Sequence, residues 1–131
     1  MYIDIPKEYI EYLRNYPLDN NEVTQVDSDV WIKEGPLNIH TDSTAEGLIT
    51  YGIILLDDLD SVFVKEDEVI SLRDNNVYYL DARKPHGILR YWYSKPKGRI
   101  AFLAWDMPED YMLSMFKKEV EEELANKVKK L

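Results

Sequence analysis

The sequence reads as a mainly β domain, a sandwich or jelly roll, with a short helix before it and an amphipathic helix after it. Three observations carry that reading. Between residues 22 and 106, short runs rich in branched and aromatic residues are punctuated by "EGP", "STAEG", "DDLD", "KED", "DNN", "RKP" and "KPKG". Helical spacing replaces this pattern outside those limits. Finally, 131 residues with 45% hydrophobic and 12% aromatic content suffice for one domain with a core of its own.

In chain order, residues 1–20 hold the first helix. In "PKEYIEYLRNY", Pro6 suits a first turn and Tyr9, Ile10, Leu13 and Tyr16 share a stripe. Pro17 and "DNN" stop it. Eight candidate strands follow, over 22–33, 36–41, 48–56, 61–65, 68–73, 76–81, 86–94 and 98–105. Lys95-Pro96-Lys97-Gly98 has the make-up of a tight turn, with proline second and glycine fourth. Residues 107–131 form the second helix, with Asp106 as its cap and Pro108 early in it. Its packing stripe is Met112, Phe116, Val120, Leu124 and Val128, with Met115 beside it, and Lys127, Lys129 and Lys130 suit the dipole at its end. Eight short strands with tight breaks favour a sandwich or jelly roll, residues 22–106 being its core.

Composition excludes several functions. There is no cysteine, so disulfides, zinc–thiolate sites and thiol nucleophiles are absent, in keeping with a cytoplasmic protein. "MYIDIPKEYIEY" has neither a basic stretch nor an apolar region of signal-peptide type. The longest strongly apolar run, "YGIILL", falls far short of the about 20 residues of a membrane span. The net charge of −9 makes duplex nucleic acid an unexpected partner. The charge is uneven, however. Arg83, Lys84, Arg90, Lys95, Lys97 and Arg99 fall in a stretch without an acid, which either accepts an anion on one face or offsets acids across a sheet.

The chain has two histidines, His40 and His86. His40 and Asp42 stand two apart at the end of a candidate strand, so both can aim at one point. His86 opens the seventh candidate strand, which a jelly roll can lay beside the second. Two neutral imidazoles and one carboxylate on one face of a cation are the arrangement of non-haem Fe(II), with three positions left open. The bland alternative is two ordinary hydrogen-bonded histidines near one of many acids.

These stretches carry a resemblance. "EGPLNIHTD" followed by "LITYGIILL", then "VYYLDARKPHGI", then "GRIAFLAW", resembles the 2-oxoglutarate/Fe(II)-dependent oxygenases, the prolyl-hydroxylase-like branch above all, over about residues 30 to 106. The resemblance implies a double-stranded β-helix (the jelly-roll, cupin-like fold) with Fe(II) on His40, Asp42 and His86. It implies 2-oxoglutarate chelating the metal, with its far carboxylate held by a basic residue, and a dioxygenase that hydroxylates a protein side chain or small molecule as 2-oxoglutarate is decarboxylated to succinate.

For the basic residue two candidates stand. Arg99 suits the family pattern, although it lies 13 positions after His86 rather than the usual nine or ten, with Ala101 where a serine is common. If 86–94 and 98–105 form one hairpin, Arg99 pairs with Ser94, about 25 Å along the strand from His86, and Arg90 is better placed. Tyr51, Asn38 and Trp92 are further candidates for the pocket, each equally a core or rim residue, and Asp81 and Arg83 either support the site or pair within a turn. Little chain remains for a substrate lid. A large substrate, a homo-oligomer or a loss of activity would each account for that. A non-catalytic cupin-like binding protein is the competing expectation, although a cupin metal site usually asks for three histidines and a glutamate.

Overall fold

The computed structural model describes residues 1–66, 68–90 and 98–131. Nine strands lie between two helices: α1 (Lys7–Asn15), β1 (Thr24–Val26), β2 (Val30–Glu34), β3 (Leu37–His40), β4 (Leu48–Asp57), β5 (Ser61–Lys65), β6 (Glu68–Ser71), β7 (Val77–Leu80), β8 (His86–Arg90), β9 (Arg99–Pro108) and α2 (Leu113–Lys129). They form two antiparallel sheets, one ordered β1-β2-β9-β4-β7 and the other β3-β8-β5-β6. From β2 onward the chain changes sheet at every connection except the β5–β6 hairpin. The molecule is mainly β. No helix among the described residues is long and apolar enough to cross a membrane.

Strand alternation sorts the apolar side chains into two layers. Val30 and Ile32 of β2, Ile53 and Leu55 of β4, and Ala101 and Leu103 of β9 pack against Tyr9 and Leu13 of α1 and Phe116, Val120 and Leu124 of α2. The opposite faces of β4, β7 and β9, through Ile54, Tyr78, Leu80 and Ile100, meet Phe63 of β5 and Ile88 of β8 between the sheets. The five-stranded sheet is therefore covered on both sides. That explains why β4 reads as a continuous apolar run rather than an alternating one.

One polar residue is sunk into this core. Asn76, 3% exposed, accepts from the Ile3 amide (2.9 Å) and donates to the Ile3 and Ile54 carbonyls (2.8 and 3.3 Å). It ties the N-terminal segment to β4 at the register shift between Ile54 and Leu56, where a backbone group would otherwise be left unpaired.

Several expectations need correction. The first candidate strand is two strands, because Asp27 and Ser28 take positive φ (50° and 61°) and turn the chain back on itself. Asp106 does not cap the second helix: β9 runs on through Asp106 to Pro108, and α2 starts at Leu113. Met112 and Met115 are exposed, so the stripe that packs is Phe116, Val120, Leu124 and Val128. Lys127 stands in the last turn of α2, as expected, and is buried. It pairs with Asp29 (3.0 Å) across the gap between α2 and the β1–β2 turn and with Glu123 (3.3 Å) one turn back on its own helix. The single hairpin of 86–94 and 98–105 that would favour Arg90 does not form, because β8 and β9 belong to different sheets. Of the expected Lys95-Pro96-Lys97-Gly98 turn, all but Gly98 lies outside the described residues.

Candidate metal centre

Strand β3 pairs with β8, and the partner of His40 is His86. Both imidazoles thus reach the same end of the four-stranded sheet, their ring centroids 4.4 Å apart. Asp42 follows two residues past the strand end, where its amide donates to the Ala82 carbonyl (2.8 Å) and turns the carboxylate back to the rings. Its Oδ2 lies 3.0 Å from His86 Nε2 and 3.5 Å from His40 Nε2. One donor atom from each residue falls within 4.8 Å of the others. His86 is buried, His40 half-buried and Asp42 exposed.

The far side of each ring is tied down. His40 Nδ1 is 2.6 Å from the Asn38 carbonyl, and His86 Nδ1 is 2.8 Å from the Lys84 carbonyl. A carbonyl only accepts, so each Nδ1 donates and each neutral ring presents the Nε2 lone pair to the shared point. Metal-binding histidines are oriented in this way by their outer nitrogen. Two lone pairs and a carboxylate facing one another repel unless a cation or a proton sits among them. The donor set, two nitrogens and one oxygen, suits a first-row divalent metal, and Asp42 leaves one side of the group open to solvent.

Local features hold this geometry. The 81–84 turn supplies both carbonyls, Ala82 to Asp42 and Lys84 to His86. Asp81 fixes the turn by accepting from the Arg83 amide and, in two bonds, from its guanidinium (3.1, 2.9 and 3.0 Å). Those bonds hold the Asp81 carboxyl below its usual range and raise Arg83 above its own. Gly87, next to His86, lets β3 come close: a Cβ there would stand 2.7 Å from the Leu37 carbonyl oxygen and 3.1 Å from Asn38 backbone atoms. A register shift between Leu37 and His40 aims the Asn38 carbonyl at the His40 ring.

The triad opens on a cavity of about 570 Å³ between the sheets. Its walls include Trp31 of β2, Phe63 of β5, Tyr78 of β7 and Phe102 of β9, with Thr50 and Asp106 further along. Burial, then the Asp42 charge, push the Tyr78 phenol far above its ordinary value, so it stays neutral. Thr50 donates to Asp106 Oδ1 (2.7 Å) from the adjacent strand. A larger cleft of about 990 Å³ between α1 and the end of α2 has no part in this site.

The structure brings His40, Asp42 and His86 together, as the spacing leads one to expect. It does not bring the other candidates to them. On β9 the cavity-facing residues are Phe102, Ala104 and Asp106, which puts Arg99 on the opposite face. There its guanidinium donates to the Leu13 and Tyr16 carbonyls (2.9 and 2.6 Å) and closes the end of α1. Arg90 shares the parity of His86 but is exposed at the far end of β8, away from the cavity lining. Tyr51 faces the helices, donates to the Tyr111 carbonyl (2.7 Å) and packs on Phe116. Asn38 contributes its backbone carbonyl rather than its exposed side chain, since the register shift turns it out of line with His40. Trp92 lies outside the described residues. The described cations of the 83–99 stretch are spread apart: Arg83 is held by Asp81, Lys84 by Glu66 (3.1 Å) and Arg99 by α1, while Arg90 is exposed at the far end of β8.

Sequence reasoning missed Tyr78, Thr50, Trp31 and the cavity role of Asp106. The inner and outer faces of β4 and β7 are both apolar or aromatic, so no alternation distinguished them. No protein-family model, no curated protein and no solved structure matches this chain.

Proposed function

We propose that the chain is a small mononuclear Fe(II)-dependent oxygenase with a double-stranded β-helix core, 2-oxoglutarate being the cosubstrate to test first. One observation carries this: two imidazoles and a carboxylate meet within 4.8 Å, both outer nitrogens are tied to carbonyls, and the open side faces a cavity. The sheet order, with strands alternating between two antiparallel layers, supports the jelly-roll assignment. His40, Asp42 and His86 would hold the metal. Bound there, Fe(II) would supply dioxygen activation and keep three positions for oxygen and a chelating acid.

The remaining residues position and shield. Lys84 and Asn38 carbonyls fix the rings, Ala82 fixes Asp42, and Phe63, Tyr78 and Phe102 keep one side of the cavity dry. The fit to the metal is good. The fit to a dicarboxylate is poorer, because among the described residues no lysine or arginine lines the cavity, and hydroxyls such as Ser43, Thr44 and Tyr78 are the side-chain donors there. That observation favours a second reading, a cupin-like binding protein in which the metal or the cavity holds a ligand without oxidising it.

Anaerobic protein is mixed with Fe(II), and then with 2-oxoglutarate. A visible metal-to-ligand charge-transfer band, lost in Asp42→Ala, together with succinate formation in air, is the expected result. Tight metal binding with neither band nor succinate would support the binding protein instead.

A further inference from the structure

The cavity beside the triad is lined unevenly, with an exposed carboxylate, Asp106, at one end. Along β9 the residues that face it are Phe102, Ala104 and Asp106, and from neighbouring strands Trp31 stands opposite Phe102 and Thr50 opposite Asp106. One end is therefore aromatic, the middle is a single methyl group, and the other end is a carboxylate. Thr50 donates to Oδ1 of that carboxylate at 2.7 Å, which fixes its orientation, while a carboxylate has capacity for several donors and retains the rest. No cation among the described residues lines the cavity to neutralise it. The whole chain carries −9, so the long-range field also draws cations in and turns anions away.

From Phe102 to Asp106 the strand spans about 13 Å, enough for an extended aliphatic chain and its charged head. Trp31 and Phe102 give the far end of that path aromatic faces on which a carbon chain packs. The second carboxylate, Asp42, is committed to the triad, which leaves Asp106 as the acid to receive a ligand.

We propose that this cavity takes its substrate as an aliphatic cation, an alkylammonium or guanidinium, with the charged head on Asp106 and the carbon chain lying over Ala104 between Trp31, Phe102 and the triad. This builds on the reading of the cavity as a substrate pocket but does not need the oxygenase chemistry. A lysine- or arginine-type side chain and a free small amine share the necessary chemistry.

The test uses metal-free protein, so that it stands or falls apart from the Fe(II) experiment. Amide shifts in two-dimensional NMR are followed as Nα-acetyl-lysine methylamide, the arginine equivalent and n-butylammonium are added. The norleucine and glutamate methylamides serve as neutral and anionic counterparts of similar length. The expected result is saturable binding of the cations, with shifts at Thr50, Phe102, Ala104 and Asp106. The norleucine compound should bind at least about tenfold more weakly, and Asp106→Asn, which keeps an acceptor for Thr50, should weaken the cations about tenfold. A preference for the methylamides over n-butylammonium points to a side chain presented by a peptide, and the reverse to a free amine; both uphold the proposal. Binding of the glutamate compound as tight as that of lysine would overturn it. So would shifts confined to other surfaces, or no saturable binding by any cation. If Asp106→Asn fails to fold, the charge series on the unaltered protein still decides.

Discussion

Gly87→Ala should damage the metal centre without altering any ligand. The added methyl would stand 2.7 Å from the Leu37 carbonyl oxygen and 3.1 Å from the Asn38 carbonyl carbon and oxygen. All three are backbone atoms of β3, so no side chain can swing away. Restoring ordinary contact requires β3 to move by about 0.7 Å relative to β8. Overpacking of this kind costs roughly 1–3 kcal/mol. The functional consequence is larger than the stability loss suggests. β3 carries His40 and the Asn38 carbonyl that orients it, whereas His86 stays with β8. A shift of that size between two rings whose centroids are 4.4 Å apart pulls one ligand off the common point. Loss of ligand orientation typically lowers metal affinity about 10- to 100-fold. Co(II) titration followed by its ligand-field absorbance, with denaturant unfolding of the metal-free protein alongside, measures both quantities. Unchanged Co(II) affinity in a variant that has lost about 1 kcal/mol or more would refute the argument, because strain between β3 and β8 would then not reach the ligands.

Other perturbations separate the elements around the site. Asp81→Ala and Arg83→Ala loosen the turn that presents the Ala82 and Lys84 carbonyls, so each should weaken Co(II) binding about tenfold while melting changes little, since the pair is at the surface. Asn76→Ala strands the Ile3 amide and carbonyl in the core and should cost about 2–4 kcal/mol in denaturant unfolding, with metal affinity untouched. Lys127→Ala leaves Asp29 with Trp105 as its remaining donor and Glu123 beside it, for a loss of about 3 kcal/mol. Stability should also decline in alkali, from about pH 10 upward. Burial lowers Lys127, but Asp29 and Glu123 outweigh it and the net shift is up; Tyr9 is raised by burial and by its bond to Asp27. Both groups therefore stabilise the fold below their ordinary values and lose that contribution as pH rises through the raised ones. A pH titration of unfolding that is flat to pH 12 would contradict this assignment.

The triad was legible because it depends on two simple facts, an i,i+2 spacing and a histidine at the start of a late strand, and a pairing of β3 with β8 satisfies both. Helix α1 was legible for a similar reason, its stripe of Tyr9 and Leu13 being fully buried. What the pattern could not supply was parity. In β4, Tyr51 looks suited to a pocket, but it meets Phe116 on the helix side, and its neighbour Gly52 must stay small on the other side because a Cβ there would fall 2.1 Å from the Tyr78 ring. The same ambiguity misplaced Arg99. A strand buried on both faces reads as a continuous apolar run, so the side on which a basic residue emerges depends on its register with β2 and β4, information held in other parts of the chain. β9 pairs Arg99 with Glu34 and Phe102 with Trp31, and this register sends the arginine to the carbonyls of α1. The preference for Arg90 rests on a single hairpin of β8 and β9. The two strands lie in different sheets, so that hairpin does not form, and the parity of β9 decides where Arg99 points.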